Sequence, residues 1–265
     1  NGVPRKGLAQ AGKTGWVYIL DRTNGEPLVG IEERPVPQEP RQATAATQPY
    51  PVGDAFVTQT LDIPPEGFTM VNNGAIFTPF WDDPVLLRRS EANWPPSTVD
   101  PNKGVMYVCA GERQAAYTTR DGVEQVESGD RYTGGSMRFA PIAVTGIVAA
   151  MDLRTNQRLW SQRWSSRCYS GLVATAGNLL FAGRNDGRFT ALDSRDGSKL
   201  WEFMTDAGVN APPTIFEHEG EQYVTVFSAG NLLAGSNRGD SMWMFKLLEE
   251  GEETSIPLEK IPPPQ

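Results

Sequence analysis

Lys13 is the first side chain in the sequence whose position could serve chemistry. It belongs to GKTGWVYIL, residues 12–20, where it stands just before an apolar stretch typical of a β-strand. Lysine is rarely buried without a partner, so most loop lysines are solvated charges. A lysine ammonium held in a dry pocket would instead stabilise negative charge that develops on a reacting oxygen. The residues beside Lys13 leave both interpretations open.

Other residue types that commonly carry catalysis are scarce. His218 is the only histidine, and it lies in the charged segment FEHEGEQ, which is typical of a surface turn. Cys109 and Cys168 are the only cysteines, and their separation matches no metal-binding motif. These observations argue against a His/Cys zinc site and against a Ser-His-Asp triad. The sequence has no Gly-rich nucleotide-binding motif, so nucleotide chemistry has no support.

The composition is that of an acidic, turn-rich globular protein. The 265 residues carry a formal net charge of −8 without a lysine and arginine cluster, which argues against a nucleic-acid partner. No apolar run reaches the roughly 20 residues of a membrane span. Hydrophobic residues make up 39%, enough for a core, and 27 glycines with 21 prolines indicate many turns. The opening NGVPRKGLAQ lacks an initiator methionine and a signal-peptide pattern, so we expect it to lie inside a longer protein.

A repeated pattern predicts the fold. In three stretches a glycine is followed six residues later by an aspartate, and a residue suited to a turn comes four residues after that. The residues before the aspartate alternate as in a strand, and the aspartate begins a tight turn into a second strand. The three stretches are GWVYILDRTNG (15–25), GIVAAMDLRTN (146–156) and GRFTALDSRDG (187–197).

Two tryptophans fall at the same place in the last two repeats. Trp160 and Trp201 each follow the repeat aspartate by eight residues, and they are 41 residues apart. A large ring at the end of a strand can wedge between neighbouring sheets while its N–H reaches a backbone acceptor. A four-stranded meander that repeats about every 40 residues is typical of a β-propeller blade. We therefore predict an all-β fold in which Trp160 and Trp201 lie in equivalent positions.

The chain is expected to form about four to five blades with long insertions. Pro/Gly-rich loops are predicted at 34–66 and 77–104, and a polar stretch at 120–136. Because the sequence opens just before a strand, we interpret it as the C-terminal portion of a larger propeller. The predicted domains are a partial propeller at 1–248 and an acidic, Pro-rich arm at 249–265.

Several motifs together resemble one family. KTGWVYILDRTNGEPL, EANWPPSTVDPNKGVMYVCA, GLVATAGNLLFAGRNDGRFTALDSRDGSKLWEF and GVNAPPTIFEHEGEQYVTV, in this order, are similar to the C-terminal half of pyrroloquinoline quinone (PQQ)-dependent alcohol and sugar dehydrogenases. The similarity extends to about Leu248. It implies that the chain is one part of a quinoprotein propeller. The implied reaction oxidises an alcohol or sugar hydroxyl by hydride transfer to PQQ.

The resemblance assigns roles to five residues. Lys13 holds the position from which a family lysine or arginine donates to the quinone oxygens, so we expect it to bind PQQ and to act in catalysis. Asn93 matches a family asparagine at the edge of PQQ, although an asparagine before a proline pair also caps turns. Trp94 beside it would face the cofactor or pack in the core. Leu232 and Leu233, in FSAGNLLAGS, would form apolar walls of the cofactor site.

The remaining parts of such an enzyme are expected on a missing N-terminal half. The resemblance places the Ca²⁺ ligands and the catalytic aspartate there, so this chain is expected to contribute no metal ligand. It would need that half as a separate or cleaved partner chain, together with a small alcohol or sugar substrate and an electron acceptor that the sequence does not identify. The sequence has no CxxCH motif, so we expect no c-type haem in this chain.

The family also bears on the cysteines and on one phenylalanine. Its members work in the periplasm or outside the cell, where disulfides persist, so the same location is expected here. Cys109 and Cys168 would then form a disulfide, or they remain two buried thiols. Phe181 falls where related enzymes carry a pocket tryptophan, and ordinary strand core is the favoured interpretation of it.

A second interpretation of the chain involves no catalysis. Propellers with the same repeat also serve as protein-interaction scaffolds, and a fold does not determine a function. A scaffold would need the Gly/Asp/Trp pattern of the blades. It would not need Lys13 or the Asn93–Trp94 pair, so these residues favour the enzyme.

Overall fold

Strands dominate the structure, which is a computed structural model of the chain. In the described part of the chain the only helix is a single 3-10 turn at Asn72–Gly74, so the predicted all-β class is confirmed. The described residues are 3–81, 84–119, 128–129 and 135–248. The strands are β1 (Gly7–Ala11), β2 (Val17–Asp21), β3 (Ile31–Pro35), β4 (Thr47–Pro51), β5 (Val85–Ser90), β6 (Thr98–Asp100), β7 (Val105–Thr119), β8 (Gly135–Phe139), β9 (Thr145–Asp152), β10 (Arg158–Trp164), β11 (Val173–Ala174), β12 (Leu179–Gly183), β13 (Arg188–Asp193), β14 (Lys199–Met204), β15 (Thr214–His218), β16 (Glu221–Ser228) and β17 (Ser241–Lys246).

Two segments singled out in the sequence fall largely outside the described residues. These are the arm at 249–265 and most of the polar stretch at 120–136. The division into a propeller and an arm at residue 248 therefore stays a prediction. The chain separates into two compact units: the first is Asn1–Glu91, Glu112–Val144 and Arg154–Asn156, and the second is Ala92–Gly111, Thr145–Leu153 and Gln157–Gln265.

The first unit contains two hairpins and a three-stranded sheet. Strand β1 pairs antiparallel with β2 through five residue pairs, and β3 pairs in the same way with β4. Strands β5 and β8 both pair with the C-terminal part of β7. Side chains alternate between the two faces of each strand, and a small core forms around Leu86 and Ala116. These elements position the turn that carries Lys13.

The second unit contains a complete four-stranded blade. Strands β11, β12, β13 and β14 pair antiparallel in chain order, which is the meander that the repeat predicts. Strands β15, β16 and β17 form a three-stranded sheet, β10 pairs with β9, and β6 pairs with the N-terminal part of β7. One buried cluster of the unit consists of Val105, Tyr107, Val148, Ala150, Cys168, Leu172, Leu180, Ala182 and Leu192.

The first and last repeats share an Asx turn, and all three repeats have a positive φ four residues after the aspartate. Asp21 and Asp193 each accept a hydrogen bond of 2.9 Å from the backbone N–H two residues later, which makes an Asx turn. Gly25 and Gly197 follow with φ of 80° and 78°, a conformation that glycine adopts readily. Asn156 takes the equivalent place in the middle copy with φ of 58°. Asparagine is one of the few other residues that tolerate this conformation.

Trp160 and Trp201 lie in equivalent positions, as predicted. Each pairs with an alanine of the neighbouring strand, and a bulge precedes each in the ladder. The Trp160 indole N–H donates to the Ser194 carbonyl at 3.1 Å. The Trp201 ring packs edge-on against Phe245, with 5.1 Å between the ring centroids. The two rings thus share a register and differ in what they contact.

The prediction of long loops at 34–66 and 77–104 is wrong in part. Strand β4 lies within the first, and β5 and β6 lie within the second. The sequence VLLRRS of β5 lacks the alternation of a half-buried strand because two arginines follow three apolar residues. One of them, Arg88, forms an ion pair of 2.9 Å with the buried Glu112. Strand β4 contains two prolines, which a two-stranded sheet tolerates at its edge.

Candidate functional site

Lys13 lies in the tight turn that connects β1 to β2. The turn is closed by the Gly15 N–H, which donates to the Gly12 carbonyl at 3.0 Å. The Lys13 carbonyl accepts a hydrogen bond of 3.1 Å from the backbone N–H of Ser90, at the end of β5. This residue therefore stands on a turn that is fixed to a neighbouring strand.

Further contacts hold the Lys13 turn in one conformation. Gln59 accepts the indole N–H of Trp16 at 3.1 Å and donates its side-chain amide to the Thr14 carbonyl at 3.0 Å. Gly15 has φ of 83°, and a Cβ atom at this position would overlap the side chains of Val57 and Gln59. The turn presents Lys13 from a preorganised backbone, which is what electrostatic stabilisation of a reacting group requires.

The surroundings of Lys13 lower its pKa. Lys13 is an exposed residue, and partial burial of its ammonium is the largest cause of the lowered pKa; the nearby Arg89 guanidinium acts in the same direction, and the Glu91 carboxylate opposes both. Glu91 also pairs with Arg113 at 3.1 Å, while Arg89 donates to the Tyr117 hydroxyl at 2.9 Å. The repulsion between the Lys13 and Arg89 charges would be relieved by a negatively charged ligand.

Two buried donors in this region have no hydrogen-bond partner among the described residues. They are Thr14 Oγ1 and Arg89 Nε. Buried polar atoms are nearly always paired in native proteins, so an unpaired one calls for an explanation. Together with the Lys13 ammonium, these donors suit an anionic, oxygen-rich group, and PQQ, with its quinone and carboxylate oxygens, is such a group. The residues of the turn fit one edge of that cofactor.

Asn93 belongs to the second unit, where its side-chain amide donates to the Tyr169 hydroxyl at 3.2 Å. Tyr169 is buried and directly follows Cys168. Cys168 forms a disulfide with Cys109, so of the two alternatives for the cysteines the disulfide is correct. The Asn93 side chain is thus oriented by a residue 76 positions away, on a segment that the disulfide anchors.

Trp94 is 67% exposed, so the alternative that it packs in the core is wrong. The residue before a proline favours extended backbone, and Pro95 and Pro96 follow Trp94 directly. The Pro96 carbonyl accepts a hydrogen bond of 3.0 Å from the Leu172 N–H, which fixes this segment while the indole stays outside the core. An exposed aromatic face can stack on a planar ligand.

Leu232 and Leu233 lie in the loop between β16 and β17, where they are 75% and 66% exposed. The Asn231 side-chain oxygen accepts the backbone N–H groups of Leu233 at 2.9 Å and of Ala234 at 3.1 Å. The two apolar side chains therefore project from a loop whose backbone is hydrogen-bonded. Adjacent exposed leucines on such a loop are suited to covering a ligand or a partner.

The five sequence-predicted site residues divide between the units. Lys13 belongs to the first, and Asn93, Trp94, Leu232 and Leu233 belong to the second. Within the second unit, a path of side-chain and backbone hydrogen bonds through Tyr169, Asn210 and Ser236 links Asn93 with the loop that carries Leu232 and Leu233, the leucine loop. The roles of all five residues toward a cofactor stay predictions.

Two further predictions on single residues are confirmed. Phe181 is buried in β12 and stacks on Phe189, with 5.5 Å between the ring centroids, so it is strand core. His218 ends β15 with an exposed side chain, as expected for a surface position.

The described residues contain no group of three or more His, Cys, Asp or Glu side chains that could hold a metal ion. Over the same residues, no helix has the length and apolarity that a membrane crossing requires.

Sequence reasoning missed the polar residues that surround the predicted ones. In the first unit these are Thr14, Arg89 and Glu91, and in the second they are Tyr169 and Asn210. The sequence itself contains a signal for some of these residues. The charged run RRSE stands directly before the motif that carries the predicted asparagine, and Asn210 is a lone polar residue in the apolar segment GVNAPP.

Comparison with protein families identifies the propeller. The family described as PQQ: glucose/ethanol/alcohol dehydrogenase, beta-propeller domain, matches residues 1–122 and 144–224. The matched residues include Lys13, Asn93 and Trp94, whereas the leucine loop follows the end of the match.

Individual proteins agree with the family match. Quinoprotein alcohol dehydrogenase PedE of Pseudomonas putida is 29% identical over 276 residues, which cover 93% of this chain and 39% of that protein. A quinoprotein ethanol dehydrogenase of Pseudomonas aeruginosa is 33% identical over 169 residues, covering 58% and 27%. The quinohemoprotein alcohol dehydrogenase structure from Comamonas testosteroni has a TM-score of 0.63 at 22% identity, covering 97% and 37%, and shows the shared fold. The chain spans less than half the length of these proteins.

Proposed function

Because this chain belongs to the β-propeller family of PQQ-dependent glucose, ethanol and alcohol dehydrogenases, we propose that it is the part of such an enzyme that polarises the cofactor through Lys13. The proposed reaction is the oxidation of an alcohol or sugar hydroxyl by hydride transfer to PQQ. The observation that carries the proposal is the Lys13 turn. Its backbone is fixed, its ammonium lies near the Arg89 cation, and the next residue, Thr14, has a buried hydroxyl without a hydrogen-bond partner among the described residues.

Lys13 would act on the oxygen edge of the quinone. PQQ, when bound, supplies the quinone that accepts a hydride from the carbon bearing the hydroxyl. The Lys13 ammonium would hold that edge and stabilise the negative charge that grows there during the reaction. Because this interaction is stronger in the transition state than before it, its benefit falls on turnover. Thr14 Oγ1 and Arg89 Nε are the further donors that this chain offers in the same region.

The proton of Lys13 is proposed to stay in place. Glu91 favours the charged ammonium and so opposes the effects of burial and of Arg89. Lys13 therefore orients and polarises, and it does not remove the substrate proton. A carboxylate on the N-terminal half of the propeller is proposed as the general base, since a base must lie within hydrogen-bond reach of the proton it removes.

The second unit is proposed to supply the remaining contacts of this chain with PQQ. Asn93 would bind an edge of the cofactor through its amide, whose direction the Tyr169 hydroxyl sets. The exposed indole of Trp94 and the apolar side chains of Leu232 and Leu233 would cover its surface and exclude water. Excluding water strengthens every charge interaction inside the site.

The proposal includes partners that lie outside this sequence. The N-terminal half of the propeller would supply the general base and the ligands of a Ca²⁺ ion, as a separate or cleaved chain. The substrate would be a small alcohol or sugar, and the enzyme would work in the periplasm or outside the cell. The Cys109–Cys168 disulfide supports this location because disulfides persist in oxidising compartments.

Reconstitution tests the proposal. The chain is co-expressed with the rest of its propeller, loaded with PQQ and Ca²⁺, and assayed with an artificial electron acceptor against primary alcohols and sugars. We expect turnover that requires PQQ, and the preferred compounds assign the substrate class. A folded assembly without PQQ-dependent turnover on either class would contradict the proposal and would favour the scaffold interpretation.

A further inference from the structure

Asn210 is a buried side chain that uses every polar group it has. Its amide nitrogen donates to the Tyr169 carbonyl at 2.9 Å and to the Asn185 side-chain oxygen at 2.8 Å. Its own side-chain oxygen accepts the Ser236 hydroxyl at 2.6 Å. An asparagine amide has two donor hydrogens, and both are used here. A buried polar network that is fully satisfied rigidifies the structure and selects one arrangement.

One side of this network supports the leucine loop. The Ser236 hydroxyl oxygen accepts the backbone N–H of Asn231 at 2.7 Å, and Asn231 in turn holds the N–H groups that follow it. A second path runs through Asn185, whose amide donates to the Ala234 carbonyl at 2.7 Å. Both paths lead to Asn210, which is therefore shared by them, while Arg167 donates to the same Ala234 carbonyl at 2.6 Å.

The other side of the network supports the asparagine predicted to bind the cofactor edge. Asn210 holds the backbone carbonyl of Tyr169, and the hydroxyl of the same tyrosine accepts the Asn93 amide. The disulfide at Cys168 anchors this segment from the residue before it. Asn210 is therefore hydrogen-bonded on one side to the support of Asn93 and on the other to the support of the leucines.

We infer that Asn210 is a positioning residue that fixes Asn93 and the Leu232–Leu233 pair in one frame. The effect of this positioning on PQQ binding rests on the proposed function. Without the Asn210 side chain, the leucine loop becomes ordered only when PQQ binds. The conformational entropy lost in that step weakens the affinity for PQQ. Because Asn210 touches no reacting atom, turnover at saturating PQQ should be preserved.

Hydrogen exchange on the chain itself tests the support of the loop. In Asn210→Ala, the backbone amides of Asn231, Leu233 and Ala234 are expected to exchange about tenfold faster or more, because the loop opens more readily. Unchanged exchange at these amides would overturn the inference. If Asn210→Ala fails to fold, Ser236→Ala breaks the loop side of the network alone and is expected to accelerate the same amides.

A double-mutant cycle and a control separate this effect from general loosening. If Asn210 acts on Asn231 through Ser236, adding Asn210→Ala to Ser236→Ala, which already lacks the hydroxyl between them, should change exchange at Asn231 less than about twofold. If the two substitutions instead accelerate exchange independently, so that their effects multiply, the inference is contradicted.

Asp206→Ala is the matched control, because Asp206 lies four residues before Asn210 and accepts side-chain hydrogen bonds from Ser241 and Trp243, outside the network. Equal acceleration of the loop amides by this control would also overturn the inference.

A PQQ titration of the assembled propeller provides the functional measurement. Asn210→Ala is expected to raise the Kd for PQQ about tenfold while turnover at saturating PQQ stays within about twofold of the wild type. An unchanged Kd would contradict the inference. A wild-type assembly that binds no PQQ would defeat the proposed function. In that case hydrogen exchange still decides whether Asn210 positions the loop.

Discussion

The indole N–H of Trp160 donates to the carbonyl oxygen of Ser194 at 3.1 Å. Gly197 belongs to the same turn as Ser194 and lies against the ring, so that a Cβ atom there would be 2.5 Å from Trp160 Cε3. The contact joins a strand of one repeat to the turn of the next. Gly197 of one repeat and Trp160 of the preceding one are therefore partners across two sheets.

Substitution of that glycine should destabilise the second unit. Gly197→Ala places a methyl group against the ring and forces alanine into a left-handed conformation. Gly25→Ala is the matched control, because Gly25 has nearly the same φ, 80° against 78°, and nothing within 4 Å of its added Cβ. We expect the control to lose about 1 kcal/mol and Gly197→Ala about 1–3 kcal/mol more, from denaturant unfolding. Equal losses in the two variants would show that the ring contact is unimportant.

The disulfide gives a prediction on stability. Replacing Cys109 and Cys168 together by alanine should lower the free energy of unfolding by about 2–4 kcal/mol, since the bond closes a long loop in the unfolded chain. Either single replacement breaks the same bond, so it should cost nearly as much as the pair. Thiol titration under denaturing conditions without reductant should find no free thiol. Two titratable thiols in the purified protein would contradict the bond.

The lowered pKa of Lys13 predicts a pH dependence of PQQ affinity. The ammonium loses its proton at a lower pH than an ordinary lysine, chiefly because it is partly buried and because Arg89 is near. As the pH rises, the affinity for an anionic cofactor should therefore begin to decrease at a pH that is still below the range in which lysines usually titrate. Lys13→Arg keeps its charge at these pH values and should show no such fall. A parallel decline in both proteins would exclude Lys13 as the titrating group.

The same shift predicts the pH dependence of stability. The folded-state pKa of Lys13 lies below the unfolded-state value, so the unfolded chain binds the proton more tightly and folding is disfavoured while Lys13 is charged. This penalty is fully present below the folded-state pKa and disappears as the pH rises to the ordinary lysine range. Lys13→Met should therefore have a higher Tm than the wild type near neutral pH. Thermal unfolding across pH should show the difference shrinking in alkali, and a constant difference would contradict the assignment.

The local features of the fold are those that the sequence predicts well. The Asx turns at Asp21 and Asp193 depend on residues within five positions of each other, and so do the glycines that close them. The equivalent register of Trp160 and Trp201 follows from the same short pattern. Strand β5 escapes prediction because its charged end is neutralised by Glu112, which comes from a different part of the chain.

The site is predictable only where a single motif carries it. Lys13 and Asn93 can be identified from the segments around them, but their supports come from distant positions. Tyr169, which orients Asn93, is 76 residues away, and Gln59, which clamps the Lys13 turn, is 45 residues from Thr14. Hydrogen bonds between such distant residues leave no periodic signal, so they emerge only when the chain is folded.

The most direct test of the central claim is the affinity of the assembled, Ca²⁺-loaded propeller for PQQ, followed by quenching of tryptophan fluorescence. If Lys13 holds the quinone oxygens, Lys13→Ala should raise the Kd for PQQ at least about tenfold and lower turnover by on the order of 10²–10³. Lys6→Ala removes an exposed lysine of the same unit and should leave both quantities unchanged. Wild-type affinity and turnover in Lys13→Ala would contradict the account and return Lys13 to a solvated surface charge.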